Sequence, residues 1–268
     1  MVHAVKEKLS HFTTLVAFKD VNGPFGPIAT GTLVRVGDRD CILTAAHVWE
    51  ASETYESVGL TARDVTHPQA LAVDCRLFKP LHVSPRPPGG WTPGGPDIAV
   101  LEVPAYYAAD LKAGGKAFYN LSKRRANARA SAADPASGIW FIIGALGESV
   151  AMEGLQPDGS QRVMLDLGLL ASRVRAMRSS GPFDLIELSL DNKLGSGFPS
   201  HYRGLSGAGL WCVGERGDDG KVRWTAGDPI SLEGVAFYHD PGTAAAEEVI
   251  ICHGRRSVYD YLLAAANL

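Results

Sequence analysis

The stretch Gly204-Leu205-Ser206-Gly207-Ala208-Gly209-Leu210 decides how this chain is read. A glycine two residues before a serine lets the backbone curl until two N–H groups point at one spot. Donors placed that way stabilise a developing oxyanion. The serine hydroxyl itself is a poor nucleophile at neutral pH and needs a base within hydrogen-bond reach. Two upstream segments supply the missing groups, Thr44-Ala45-Ala46-His47-Val48 and Asp97-Ile98-Ala99-Val100-Leu101. Histidine suits the base because its unperturbed pKa, about 6.5, lies near the working pH. A carboxylate behind it fixes the tautomer and stabilises the imidazolium that forms. Ser206, His47 and Asp97 are therefore the candidate nucleophile, base and orienting acid. Each segment alone is a weak signal: a histidine at a strand end is ordinarily structural, and an aspartate before a strand is an ordinary turn residue. Their order carries more, because the same constellation recurs on unrelated folds with different chain orders. Asp64 and Asp74 are weaker candidates for the acid, since neither opens an uncharged apolar run.

The chain has 268 residues, of which 46% are hydrophobic and 30 are glycine. That composition suits one compact unit, or two small fused ones, with ample apolar surface to bury. A formal charge of −3 gives no electrostatic reason to expect a nucleic-acid partner. The densest basic run, Lys123-Arg124-Arg125 with Arg129, is interleaved with Ala and Ser and has no aromatics. It reads as a solvated loop. The first ten residues lack the apolar core and small-residue cleavage site of a secretory signal. No run approaches the roughly 18 apolar residues of a membrane helix. A cytoplasmic protein without membrane contact is expected. Cys41, Cys75, Cys212 and Cys252 show no C-x-x-C spacing, which argues against zinc. In a reducing compartment they are expected as small buried apolar residues. No cofactor or metal is expected.

Working outward from the motifs, most of the chain reads as short strands between turns. Leu15-Phe18 and Ala29-Val36 are apolar and β-branched, Gly37-Asp38-Arg39-Asp40 turns, and Cys41-Ala46 returns as a hairpin partner. Ala70-Phe78 precedes a Pro- and Gly-rich loop, Pro85 to Pro96, and a strand follows at Ile98-Val103. Residues Ser122 to Gly138 lack apolar periodicity and read as a linker. Beyond it, Ile139-Ile143, Val163-Leu170, Phe183-Leu190, Leu210-Val213, Gly234-Tyr238 and Val249-Cys252 are strand-like. The tail from Arg255 switches to helical period, with Val258, Tyr261, Leu262 and Ala265 on one face. Regularly spaced short strands with turn chemistry predict an all-β barrel or sandwich architecture. The expected division is residues 1–121, a linker at 122–138, and residues 139–268.

With the three motifs in the order His, Asp, Ser, the chain resembles the chymotrypsin/trypsin-like serine peptidases, and the bacterial members more than the animal digestive enzymes. The resemblance spans nearly the whole chain, although only the three motifs are specific. It implies two six-stranded antiparallel β-barrels, with His47 and Asp97 in the first and Ser206 in the second, and an active site in the cleft between them. It implies the backbone N–H groups of Gly204 and Ser206 as the oxyanion hole. It also places the primary specificity pocket at Ser200, His201 and Phe237-Tyr238-His239. A neutral Ser200 and bulky walls predict small or uncharged residues before the scissile bond, with Glu247 or Glu248 as the source of a basic preference and His201 or His239 of an acidic one. Two positions depart from the digestive enzymes. Leu205 stands where they carry an aspartate that receives a freed N-terminus, and no Ile-Val-Gly-Gly start supplies that amine. Ala208 replaces a glycine. The expected activity is therefore endopeptidase cleavage of a protein or peptide substrate, without zymogen activation. Such an activity in the cytosol has to be restrained by narrow specificity or by a regulatory partner protein.

Two other readings compete. One is a catalytically inactive barrel of the same type that binds a partner protein. The other is an α/β-hydrolase esterase, with Ser206 followed by Asp228 or Asp240 and then His253. The latter lacks the alternating helices after the serine and has Ala208 where its turn motif wants glycine.

Overall fold

In a computed structural model, the residues described are 2–19, 25–61, 70–130, 138–152, 163–190, 202–216, 222–225, 230–242 and 248–266. The first half holds strands β1 (Thr13–Lys19), β2 (Phe25–Val36), β3 (Arg39–Thr44), β4 (Ser57–Thr61), β5 (Ala70–Asp74), β6 (Lys79–Val83), β7 (Ala99–Glu102) and β8 (Tyr119–Asn120). The second holds β9 (Ile139–Met152), β10 (Val163–Ser180), β11 (Phe183–Leu190), β12 (Gly209–Val213), β13 (Glu215–Arg216), β14 (Val222–Arg223), β15 (Ile230–Asp240) and β16 (Val249–His253).

The first sheet runs β5-β4-β1-β2-β3-β7-β6, and β8 adds to β2 in parallel. Its two edge strands, β5 and β6, are consecutive in sequence and separated only by a single turn at Cys75–Leu77. A flat sheet of seven strands would span about 29 Å, whereas the chain from Asp74 to Lys79 reaches roughly 17 Å at most. The sheet therefore has to curl into a half-barrel. The turn also explains why one more strand lies on this path than the six expected. Ala70-Phe78, read as one run, breaks where the Asp74 carboxylate accepts the Arg76 N–H at 2.8 Å. The second sheet closes as a six-stranded antiparallel barrel, β10-β11-β16-β15-β12-β9.

One of the buried apolar clusters spans both halves. Val34, Cys41, Leu43, Ile98 and Val100 pack in the same cluster as Phe141, Ile143, Trp211, Leu232 and Val235. Val5 and Leu9 from an N-terminal helix, α1 (Val2–Ser10), join it, as do Val258, Tyr259 and Leu262 near the C-terminus. The remaining helices are α2 (Ala46–Glu50), α3 (Ala105–Ala113), α4 (Leu121–Ala130) and α5 (Leu263–Ala265). A wider turn, Arg256–Leu262, with i→i+5 hydrogen bonding, leads into α5. This extra width moves the buried face to Val258, Tyr259, Leu262, Leu263 and Ala266, leaving Tyr261 only partly buried and Ala265 exposed.

The basic run expected as a loop is helical. Asn120 Oδ1 accepts the Lys123 N–H at 2.8 Å and caps the start of α4, while Arg129 pairs with Asp260. Residues 131–137 of the expected linker lie outside the described residues. All four cysteines are buried free thiols. Burial pushes the Cys41 thiol up to about 12, Cys75 up to about 11 and Cys252 further still. Among the described residues, no helix is long and apolar enough to cross a membrane.

Candidate active site

Strand β3 ends at Thr44, and the fully buried Ala45-Ala46 pair turns the chain into α2, whose second residue is His47. Small side chains are required there because Ala45 packs under the first sheet while His47 keeps one third of its side chain open to solvent. Asp97 follows the Pro- and Gly-rich loop and precedes β7, and its side chain is 1% exposed. Both carboxylate oxygens face His47: Oδ1 accepts the backbone N–H at 2.9 Å, and Oδ2 lies 2.6 Å from Nδ1. An ionised carboxylate only accepts hydrogen bonds, so Nδ1 carries the proton and Nε2 keeps its lone pair. A neutral His47 is thereby held in the one tautomer that can remove a proton through Nε2.

The serine turn is fastened to the first sheet by threonines. Thr30 Oγ1 donates to the Gly204 carbonyl at 2.6 Å and accepts the Ala145 N–H at 2.9 Å. The Thr30 N–H donates to the Ser206 carbonyl at 2.9 Å, and Thr32 Oγ1 donates to the Gly207 carbonyl at 2.9 Å. Thr44, three residues before His47, donates through Oγ1 to the Thr30 carbonyl at 3.0 Å. One threonine strand thus holds the serine turn of the second half against the histidine segment of the first. Gly204 and Gly207 have φ of 96° and 91°, conformations L side chains rarely adopt. A Cβ on Gly207 would also lie 1.9 Å from the Thr30 carbonyl oxygen. The N–H groups of Leu205, Gly207 and Ala208 bond to the carbonyls of Tyr202, Ala236 and Leu205. Among the described residues, those of Gly204 and Ser206 have no such acceptor, and no hydrogen bond joins Ser206 to His47.

Around this centre the structure adds residues that the sequence did not assign to this site. The ring of Trp91 lies 6.4 Å from that of His47. Its Nε1–H donates to Glu50 Oε2 at 2.9 Å, and Arg86 bonds the other oxygen at 2.9 Å. The Trp91 bond, with Arg86, holds the Glu50 carboxyl below the usual range. Ser180 and Arg178 of β10 bond the carbonyls of Gly94 and Pro93 and brace the same loop. His253, fully buried, accepts the Asp97 N–H through Nε2 at 3.1 Å.

Of the residues assigned to the specificity pocket, Ser200 and His201 lie outside the described residues, as does Glu247. Phe237 is buried with its ring stacked on His253 at 4.3 Å, whereas Tyr238 and His239 are partly open. His239 Nε2 lies 2.6 Å from Glu248 Oε1, and its ring meets Tyr202 edge-on at 5.1 Å. Burial, with the Glu248 charge, pushes the Tyr202 phenol up to about 12. Of the competing acids, Asp74 caps its own turn and pairs with Arg76, and Asp64 lies outside the described residues. The two β units exclude the α/β-hydrolase reading, and His253 faces Asp97, the acid of the other reading.

No family model and no curated protein sequence matches the chain. Solved structures do. The serine endoprotease from Yersinia pestis superposes with a TM-score of 0.51 at 13% identity, covering 98% of this chain and 67% of that one. The active form of a protease from M. tuberculosis gives 0.48 at 16% identity, covering 98% and 83%. A thermostable serine protease from an extremophilic microorganism gives 0.47 at 11% identity, covering 95% and 98%. With a closed six-stranded barrel, a curled half-barrel and a short C-terminal helix, the chain has the fold of the chymotrypsin-like serine peptidases.

Proposed function

We propose that the protein is a serine endopeptidase that works through an acyl-enzyme. The observation that carries this reading is the two-point grip of Asp97 on His47, which leaves Nε2 free to act as a base. Ser206 Oγ attacks the scissile carbonyl carbon and its proton passes to His47 Nε2. The oxyanion is received by the N–H groups of Gly204 and Ser206, each worth roughly 2.7–4 kcal/mol of barrier. His47 then protonates the leaving amine. Water repeats the sequence on the ester, with His47 again as base, and regenerates Ser206. The missing Ser206–His47 bond fits a resting site, since such bonds tighten only when substrate is bound.

Buried free thiols support a reducing cytosolic setting, where narrow specificity or a regulatory partner restrains the enzyme. Leu205 is buried in an apolar cluster, an environment that offers no partner to a freed N-terminal amine. With Tyr238 and His239 as its walls the pocket would be narrow, and Glu248 Oε1 is already engaged by His239 Nε2 at 2.6 Å. A small, uncharged residue before the scissile bond is the expected preference. Profiling a peptide library tests it, with dominant cleavage after Arg or Lys as the contrary result.

A fluorophosphonate probe tests the whole reading. Ser206 is expected to be its sole covalent site, with labelling abolished in Ser206→Ala and in His47→Ala. Undiminished labelling of Ser206→Ala would falsify the assignment.

A further inference from the structure

His253 is a buried polar side chain whose presence packing alone does not explain. It ends β16 in the second barrel with no exposed surface, stacked on Phe237 at 4.3 Å and 26° and tilted against Phe183 at 5.5 Å. An apolar ring would fill this space without penalty. The imidazole instead brings a buried Nδ1 that has no hydrogen-bond partner among the described residues. Leaving such a group unpaired is unfavourable by about 1–3 kcal/mol. What the imidazole adds is an acceptor. Asp97 is the first residue after Pro96 with a backbone N–H, and that N–H is buried at the start of the segment that carries the acid.

We infer that His253 is a positioning residue of the active site, holding Asp97 by its backbone N–H so that the carboxylate stays squared on His47. The inference rests on the peptidase reading above and deepens it. Asp97 is held at three points, at Oδ1 and Oδ2 by His47 of the first unit and at its N–H by His253 of the second. The acid is therefore fixed jointly by both halves, as Ser206 is by the threonine strand. Desolvation lowers the His253 pKa to about 4, against the raising effect of the Asp97 and Asp184 charges. The ring is neutral at working pH, with its proton on Nδ1 and its Nε2 lone pair facing Asp97. It takes no proton in the reaction. A displacement of the acid by about 1 Å costs on the order of 100-fold in rate, which sets the scale of its effect.

The test compares wild type with His253→Phe, which keeps a ring but no acceptor, and His253→Gln, whose amide oxygen can accept the same N–H. In wild type carrying 15N-histidine, two-bond correlation spectra at neutral pH are expected to show His253 as the Nδ1–H tautomer. An Nε2–H tautomer overturns the inference without any variant having to fold. In His253→Phe, the His47 titration midpoint is expected to move and fluorophosphonate labelling to slow about tenfold or more. His253→Gln is expected to restore most of both. A folded His253→Phe with an unmoved His47 midpoint and wild-type labelling overturns the inference, as does a Gln variant no better than Phe. If His253→Phe does not fold, His253→Gln decides alone: a near-wild-type His47 midpoint supports the inference and a shifted one overturns it. Wild type that never labels refutes the peptidase reading. The His47 midpoint still decides, independently, whether His253 positions Asp97.

Discussion

At the scale of single residues, the site depends on a few groups whose loss has separable effects. Asp97→Asn keeps the shape but offers an amide where His47 needs an acceptor, so the tautomer is lost. The protein is expected to fold normally and to label about 10⁴-fold more slowly, as for loss of this carboxylate in a Ser-His-Asp triad. Near-wild-type labelling would place the acid elsewhere. Thr30→Val conserves volume but strands the Gly204 carbonyl and the Ala145 N–H. Each buried orphan is worth about 1–3 kcal/mol, so a lower melting temperature and slower labelling are expected together. His253 sets a pH dependence. Its pKa is about 4 in the folded protein, against the 6.5 of a free histidine. Between those values the unfolded chain binds a proton that the folded one refuses, so this part of the stability is complete above pH 6.5 and lost as pH falls towards 4. The full loss is about 3 kcal/mol. Partly buried His82 shifts in the same direction and adds to the slope. Urea unfolding of His253→Gln between neutral and mildly acid pH is expected to show a flatter slope than wild type, and an equal slope would contradict the assignment.

At the scale of elements, a buried ion pair ties the C-terminal helical segment to the barrel, beside the bonds that Arg256 and Ser257 make to Asp184. Arg255 bonds Glu233 of β15 through Nε at 2.5 Å and Nη2 at 2.6 Å, and Ser231 donates to the same carboxylate. Glu233 is wholly buried, whereas Arg255 retains 18% exposure. Breaking such a pair from one side leaves an uncompensated charge and usually costs 3–5 kcal/mol. Glu233→Gln is expected near the lower end, about 3 kcal/mol in denaturant unfolding, because Arg255 keeps some solvent; a loss below about 1 kcal/mol would mean the pair holds nothing in place. The same scale shows what the sequence disclosed. Phe183–Leu190 has the expected bounds, because a strand packed in a barrel writes its period into its own residues. His47, Asp97 and Ser206 stood out because the proposed chemistry demands those residue types. Helix α4 did not, since only Leu121 of its ten residues is buried and no apolar stripe marks it. The Asn120 cap was the available signal. The roles of Thr30 and His253 were beyond reach, for their partners lie 174 and 156 residues away in the chain.

At the scale of the whole molecule, a shared apolar cluster joins the two halves, beside the clusters that fill each of them. Val34, Leu43, Ile98 and Val100 share a cluster with Phe141, Trp211, Leu232 and Val235, and α1 and the C-terminal segment close it from outside. Neither sheet can cover that surface alone. The polar links run the same way, from Thr30 and Thr32 into the serine turn and from His253 to Asp97. Two barrels that met only at a polar cleft would unfold in separate steps. Two that share a core unfold as one, because exposing either half strips the apolar surface of the other. Urea unfolding is therefore expected to give one transition, coincident by tryptophan fluorescence and by far-ultraviolet circular dichroism. Labelling of Ser206 is expected to be lost over the same range. The first half expressed alone, residues 1–130, is expected to remain unfolded. A first half that folds unaided, or two resolved transitions, would show that the shared cluster adds little. Coincident loss of structure and labelling would show that the candidate site is assembled by the core between the halves, with His47 on one side of it and Ser206 on the other.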